Sequence, residues 1–304
     1  MPEAPPPQDI PKNHKSGYVA LIGRPNVGKS TLMNALVGQK LSIVTEKPQT
    51  TRQRVLGIHS GEEHQAIFLD TPGIIDPRYA LQQSMMKSVS SAIGEADLLL
   101  FLADATRANP DEMGLRHVPE ERPALLVLTK MDLIPQEQAL PLVDEYLELR
   151  AFEEVVPTSA LKSRGVDVLL DQITQHLPEG PPFYPKDQVS EHPERFFVAE
   201  IVREKVFQQF REEIPYSVQV NVTAFERQED RKTLIDAEII VNKDTQKGIL
   251  IGAGGQAVKE VGAAARLDIE QLLGGEDVYL QLHVKVREDW REQPATLRSY
   301  GYQA

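Results

Sequence analysis

From residue 17 to about residue 178, short unbroken apolar runs alternate with stretches of mixed polarity. The runs are "YVALIG", "AIFLDT", "LLLFLADA", "ALLVLTK" and "EVVPTSA". A strand that is apolar at every position is buried on both faces, so the pattern predicts an α/β domain: a mostly parallel sheet covered by helices. "GIHSGEEHQAIFL" reads as two strands joined by a polar turn, an antiparallel pair at the sheet edge. "LPEGPPFYPKDQVSEHPE", residues 177–194, carries five prolines and is read as a linker.

Beyond it the periodicity changes. "AEIVREKVFQQFREEI" predicts a helix with Ile201, Val206, Phe210 and Ile214 along one side; Arg203, Lys205 and Arg211 are read as its solvated face. "SVQVNVTAF" alternates strictly, "LIDAEIIV" is a second strand, and residues 256–273 space Val258, Val261, Ala265, Ile269 and Leu272 as a helix does. "VYLQLHVKV" closes the pattern with Leu280, Leu282, Val284 and Val286 inward. Helix, two strands, two helices, strand makes a smaller α+β domain with one sheet face covered. The predicted map is a loose tail over 1–16, an α/β domain over 17–178, a linker over 179–193 and an α+β domain over 194–304.

Composition narrows the chemistry. The chain has 304 residues, no cysteine and a formal net charge of -12. Thiol nucleophiles, disulfides and cysteine-bound zinc are excluded, and any nucleic-acid site must be a local basic patch. The longest apolar runs are too short to span a bilayer, and "MPEAPPPQDIPKNHKS" has no apolar core, so no secretory signal is expected there. His59 and His64 flank two glutamates across the predicted turn, read as a solvated hairpin rather than a metal site.

"GRPNVGKS", residues 23–30, has the form G-x-x-x-x-G-K-S between a predicted strand and the helix "STLMNALVG". Such a loop turns its N–H groups onto phosphate oxygens; Lys29 reaches the β- and γ-phosphates and Ser30 binds Mg²⁺. Gly23, Arg24, Pro25, Asn26, Val27, Gly28 and Thr31 complete the loop. "DTPG" ends a later run, with Asp70 placed to hold Mg²⁺ through water and Gly73 to meet the γ-phosphate; Thr71, Pro72 and Ile74 flank them. In "TKMD", Asp132 can accept the imino and amino protons of guanine, a pair that adenine does not offer, while the Lys130 stem lies along the base. Thr129 and Met131 frame them. "TSA" follows the fifth run, with the Ala160 N–H aimed at the guanine carbonyl between Ser159 and Leu161. Four such motifs in order on strand ends point to GTP.

These motifs, with "QTTR" between them, resemble the Era branch of the translation-factor-class GTPases. Thr129 departs from it, since asparagine is usual there; weaker base affinity with preserved guanine selectivity is expected. The resemblance places the first switch loop over Gln49, Thr50, Thr51, Arg52 and Gln53, with Thr51 as first choice and Thr50 as second for completing the Mg²⁺ shell. Ile74 stands where many GTPases carry a water-orienting glutamine, so slow or differently assisted hydrolysis is expected. Similar GTPases with an asparagine at the Asn26 position use a potassium ion near the phosphates. No catalytic base is assigned.

"GILIGAGGQAVKE" contains G-x-x-G at Gly252, Ala253, Gly254 and Gly255, between two predicted helices. A KH domain uses such a turn to clamp four nucleotides of single-stranded RNA. Era-like proteins end in a KH domain, and "LRSYGY" is similar to the family's tail. Residues 194–304 hold 15 Lys and Arg against 19 Asp and Glu. The nearest cations are Lys247, Lys259, Arg266, Lys285 and Arg287.

The resemblance implies a monomeric GTP-hydrolysing switch with Mg²⁺ and K⁺. Its implied partners are the 3′ end of 16S rRNA and the assembling 30S ribosomal subunit. It also implies a cytoplasmic location, with peripheral attachment to the inner face of the membrane. Two other readings stand beside it: a tRNA-modification-type GTPase, and a scaffold that binds GTP and RNA without turnover.

Overall fold

The computed structural model describes residues 11, 13–227 and 232–303. The tail read over 1–16 therefore lies largely outside the described residues. The chain divides into two compact units, the first made of residues 1–42, 51–75 and 87–191.

Its elements are β1 (Lys15–Ile22), α1 (Lys29–Val37), β2 (Val55–Ser60), β3 (His64–Asp70), α2 (Ala80–Glu95), β4 (Leu98–Asp104), α3 (Glu112–Leu115), β5 (Ala124–Thr129), α4 (Leu140–Leu149), β6 (Glu154–Pro157) and α5 (Val166–His176). The first turns of α2 belong to the other unit. The six strands lie in the order β2-β3-β1-β4-β5-β6. Every pairing is parallel except β2 with β3 at the edge, as the polar turn predicts. All six residues of β5 are buried, and Leu98 to Leu102 in β4 are 0% exposed, which accounts for their unbroken apolar runs.

The proline-rich stretch forms no helix or strand but is bound along its length. Phe183 and Tyr184 donate N–H groups to the Gln65 side chain at 2.7 and 2.9 Å, the Ser190 hydroxyl donates to the Leu56 carbonyl, and Ile58 N–H donates to the Val189 carbonyl at 2.9 Å.

The second unit is made of residues 43–50, 76–86 and 192–304. Its elements are α6 (Glu194–Gln209), α7 (Ile214–Ser217), β7 (Gln219–Glu226), β8 (Thr233–Val241), α8 (Asp244–Ile251), α9 (Gln256–Leu272), β9 (Val278–Val286) and α10 (Pro294–Ser299). β8 pairs antiparallel with β7 and parallel with β9, and α6, α8 and α9 cover one sheet face. Val202, Val206, Ile235, Ile239, Val261, Ala265 and Ile269 fill the core between them. Near the carboxyl end Trp290 is fully buried and donates its indole N–H to the Ser217 carbonyl at 3.0 Å.

Two expectations about α6 are corrected. The helix runs from Glu194 to Gln209 rather than 199–214, because Pro193 opens it and Phe210 is extended, with Pro215 following in α7. Arg203 and Lys205 are buried, not solvated, as is Glu204 between them. Lys205 pairs with Asp268 of α9 at 2.6 Å. Arg203 pairs with Glu200 and gives a further N–H to the Thr50 carbonyl at 2.6 Å. Residues 43–50 account for the rest of this polar surface: Val44 N–H donates to Glu204 at 3.2 Å, and the Lys47 ammonium caps the Phe207 and Phe210 carbonyls at the end of α6.

Candidate functional site

The predicted nucleotide motifs lie in the first unit at strand ends. β1 leads into residues 23–28 and then into α1, and the carboxyl ends of β3, β5 and β6 carry Asp70, Thr129 and Thr158. A parallel sheet places such ends along one edge, where its ligands bind.

Lys29 is buried at the start of α1 and donates to the Gly23 and Arg24 carbonyls at 3.1 and 2.9 Å. Burial lowers its pKa to about 8, against the opposing pull of Asp70 and Asp111. Asp70 is 0% exposed, and burial raises its carboxyl pKa despite Lys29 nearby. Ser30 Oγ donates to Asp70 Oδ2 at 2.7 Å and lies 2.9 Å from Thr51 Oγ1, which itself reaches Asp70 at 3.3 Å. Asp70 Oδ1 is buried without a hydrogen-bond partner among the described residues. Two hydroxyls and an unsatisfied carboxylate oxygen, all hard oxygen donors, fit a divalent cation such as Mg²⁺. Of the two candidate threonines, Thr51 reaches this cluster, whereas the Thr50 carbonyl is taken by Arg203.

The loop is held from several directions. Ile74 N–H donates to the Gly23 carbonyl at 3.1 Å, and Ile74 is 1% exposed. Thr71 donates to the Leu21 carbonyl at 2.7 Å. The Thr129 hydroxyl lies 2.6 Å from the Val27 carbonyl and 3.1 Å from that of Ala103. With one proton it donates to the nearer, so Thr129 ties the phosphate loop to the end of β5. Asn26 adopts φ 61, as the tight turn at Pro25–Gly28 requires.

At the other end of the edge, Asp132 accepts from Ser159 at 2.6 Å, which holds its carboxyl below the usual range. Met131 N–H donates to the Thr158 carbonyl at 3.1 Å, so "TKMD" and "TSA" are locked together. Ala160 opens a short turn, and Leu161 beyond it is exposed. Lys130 has φ 60 and pairs with Asp104 at 2.7 Å. Asp104 stands outside the four motifs; its place as the last residue of the apolar run "LLLFLAD" is the one sequence signal that marks it. Arg52 is buried, while Gln49 has φ 61 and Gln53 is partly exposed.

In the second unit the G-x-x-G turn joins α8 to α9. Gly252, Gly254 and Gly255 have φ 72, 60 and 78, a region that side chains disfavour. Ala253 and Gly254 are exposed. Lys247 and Lys259 flank the turn and form no ion pair among the described residues. Arg266 pairs with Glu270 at 2.8 Å. Lys285 pairs with Glu238 and projects from the sheet face opposite the helices, so the structure does not bring it to the turn. Arg287 lies over the Tyr300 ring. His59 and His64 stack at 5.4 Å, and no group of three or more acidic or imidazole metal ligands occurs among the described residues.

Residues 18–130 match the family described as 50S ribosome-binding GTPase, and residues 213–291 match the KH domain family. The chain is 51% identical to GTPase ERA1, chloroplastic, from Zea mays over 95% of its own length and 71% of that protein. It is 48% identical to GTPase ERA-like, chloroplastic, from Arabidopsis thaliana, over 95% and 69%. Among solved structures it is similar to an Aquifex aeolicus Era variant bound to GDP.AlF4-, with TM-score 0.91 and 42% identity, covering 95% of this chain and all of that one. It is equally similar to Era in complex with MgGDPNP and nucleotides 1506–1542 of 16S ribosomal RNA, with TM-score 0.91 and 43% identity, covering 96% and 100%.

Proposed function

The chain belongs to the Era family of GTPases, and from that membership we propose that it binds and hydrolyses GTP with Mg²⁺ and binds 16S ribosomal RNA during assembly of the 30S subunit. One observation carries the nucleotide reading: Ser30 and Thr51 converge on one oxygen of Asp70 at the end of the phosphate loop, and the other oxygen of that carboxylate is buried with no partner among the described residues.

The proposed roles follow from the geometry. Residues Gly23 to Thr31 cradle the phosphates, and Lys29, already buried, meets their charge. Ser30, Thr51 and Asp70 would hold Mg²⁺, which when bound neutralises charge on the β- and γ-phosphates. Residues 70–74 lie along the γ-phosphate side. Asp132, fixed by Ser159, accepts two guanine protons, Lys130 lies along the base with Asp104 holding its ammonium, and Ala160 donates to the guanine carbonyl. Thr129 serves the loop rather than the base. Ile74 offers no group to orient water, so turnover is slow, and Asn26 is the proposed ligand of a stimulating potassium ion.

The G-x-x-G turn is the proposed RNA clamp, with Lys247 and Lys259 as flanking cations that form no ion pair among the described residues. The proposed partner is the 3′ end of 16S rRNA, bound by a monomer. No helix among the described residues is long and apolar enough to cross a membrane. The proposed location is the cytoplasm, with peripheral contact to the inner membrane face.

Competition of unlabelled GTP and ATP against a fluorescent GTP analogue tests the reading. GTP is expected to compete at least about a hundredfold better, since ATP leaves Asp132 unpaired. Equal competition overturns it.

A further inference from the structure

Arg24 is the second residue of the phosphate loop, a position from which a guanidinium could reach into the nucleotide site or be held away from it. Its Nε lies 2.7 Å from Oδ1 of Asp111, which is 5% exposed, an ion pair set by charge and proximity rather than by a directed hydrogen bond. Asp111 sits in the turn before α3. Its Oδ1 caps that helix by accepting the Gly114 N–H at 3.0 Å, and its own N–H donates to the Tyr146 hydroxyl at 2.8 Å. The carboxylate is thus held by α3, and the main chain of the same residue by Tyr146 of α4.

Its second oxygen is less well served. Asp111 Oδ2 is buried and accepts no hydrogen bond from any described residue. A buried, half-satisfied carboxylate is costly unless a cation compensates it, and breaking such a pair is far more disruptive than its net worth suggests. Gly114 provides the space: a Cβ there would stand 2.3 Å from Oδ2. The Arg24 main chain is meanwhile gripped from the other direction, its carbonyl accepting from Lys29 at 2.9 Å. One loop residue is therefore clamped at its backbone by the phosphate-binding lysine and at its side chain by Asp111.

We propose that Asp111 is a positioning residue for nucleotide binding, acting through Arg24 to hold the phosphate loop in the shape that receives the phosphates. Arg24 in this arrangement is an anchor of the loop and does not serve as an arginine finger. The inference rests on the GTP-binding reading and adds a residue outside the four nucleotide motifs.

The test uses the full chain and a fluorescent GDP analogue with Mg²⁺, titrated against wild type, Asp111→Asn, Arg24→Met, Arg24→Lys and the double variant Arg24→Met, Asp111→Asn. Asp111→Asn keeps the oxygen that caps α3, so a purely structural role predicts little change. The clamp predicts that Asp111→Asn and Arg24→Met each weaken binding by about tenfold, and that the double variant is no weaker than the poorer single. Arg24→Lys, which keeps a cation within reach, should recover most of the loss. Gly114→Ala gives an independent disturbance, since it displaces the carboxylate without altering a charge, and should weaken binding in the same direction. Wild-type affinity in Asp111→Asn, or a double variant whose loss is the product of the two singles, overturns the clamp. Wild-type protein that binds no guanine nucleotide overturns the parent reading and the clamp with it.

Discussion

The Arg203 guanidinium donates to the main-chain oxygen of Thr50 at 2.6 Å, across 153 residues of sequence. Arg203 also pairs with Glu200 and lies over the Phe207 ring at 5.5 Å, so one buried side chain binds a carboxylate, an aromatic face and a distant backbone segment. Together with Glu204 and Lys47 it holds residues 44–50 along α6.

Arg203→Met should therefore free that segment. The expected signs are faster amide exchange at 44–50, by tenfold or more, and a loss of roughly 3 kcal/mol in stability from the broken buried pair. Lys47→Met removes only the carbonyl cap, and should speed exchange at 47–50 with a stability change under about 1 kcal/mol. Exchange at 44–50 unchanged in both variants would show that other contacts hold the segment.

Asp132→Asn should transfer preference from guanine to xanthine nucleotides, because an amide presents a donor where the carboxylate presented an acceptor. Ser159→Ala should weaken GTP binding severalfold without altering base preference, since Ser159 only orients the carboxylate. Competition titrations with GTP, XTP and ATP measure both. A Ser159→Ala protein with altered base preference would give that serine a direct role at the base.

Potassium should accelerate GTP hydrolysis over sodium, by severalfold or more at equal ionic strength, and Asn26→Ala should remove the difference. The physical ground is that Ile74 is buried and supplies no polar group to orient water, so a further cation beside Lys29 and Mg²⁺ is the remaining way to stabilise charge that develops on the phosphates. Steady-state rates that are the same in both salts count against the ion.

Gly254→Asp with Gly255→Asp should separate RNA binding from nucleotide binding. A Cβ at either position meets nothing within 4 Å, so the side chains fit, but both residues have positive φ and the new carboxylates repel phosphate. Affinity for a single-stranded 16S 3′-end oligonucleotide should fall tenfold or more, roughly 1.4 kcal/mol. GTP affinity should hold. Wild-type binding should weaken with salt on a shallow slope, since Arg266 and Lys285 are engaged with carboxylates of their own. A folded variant with full RNA affinity would reduce 252–255 to a plain turn.

Much of the architecture is legible in the sequence because its signals are local. β4 and β5 are apolar at nearly every position since both faces are covered, and the edge pair β2–β3 announces itself by a polar turn. The bounds and polarity of α6 are not legible in that way. Arg203 and Lys205 look like a solvated face when only helical periodicity is considered. They are buried because their partners are Glu200, Asp268 and a segment from residues 43–50, and no window of sequence contains all of them. The same limit applies at the nucleotide edge. Ser30, Asp70 and Asp132 stand inside motifs with known spacing, whereas Asp104 at the end of β4 and Asp111 in the turn before α3 meet Lys130 and Arg24 from outside any motif. By its motif position Thr129 reads as a weakened base contact; in the structure its hydroxyl is spent on the Val27 carbonyl.

The second unit is assembled from segments far apart in the chain, and this bears on how the protein is made. Residues 43–50 leave the ribosome long before α6, their partner, with Thr50 and Arg203 separated by 153 positions. At a synthesis rate of roughly 5–20 residues per second, they wait about eight to thirty seconds for the partners that α6 supplies. The first unit can close its sheet in that interval, since all six strands precede residue 158. Completion of the second unit is then a late event that draws an early segment into place, and the order of synthesis leaves residues 43–50 exposed to proteases and chaperones for longer than any other part of that unit's core.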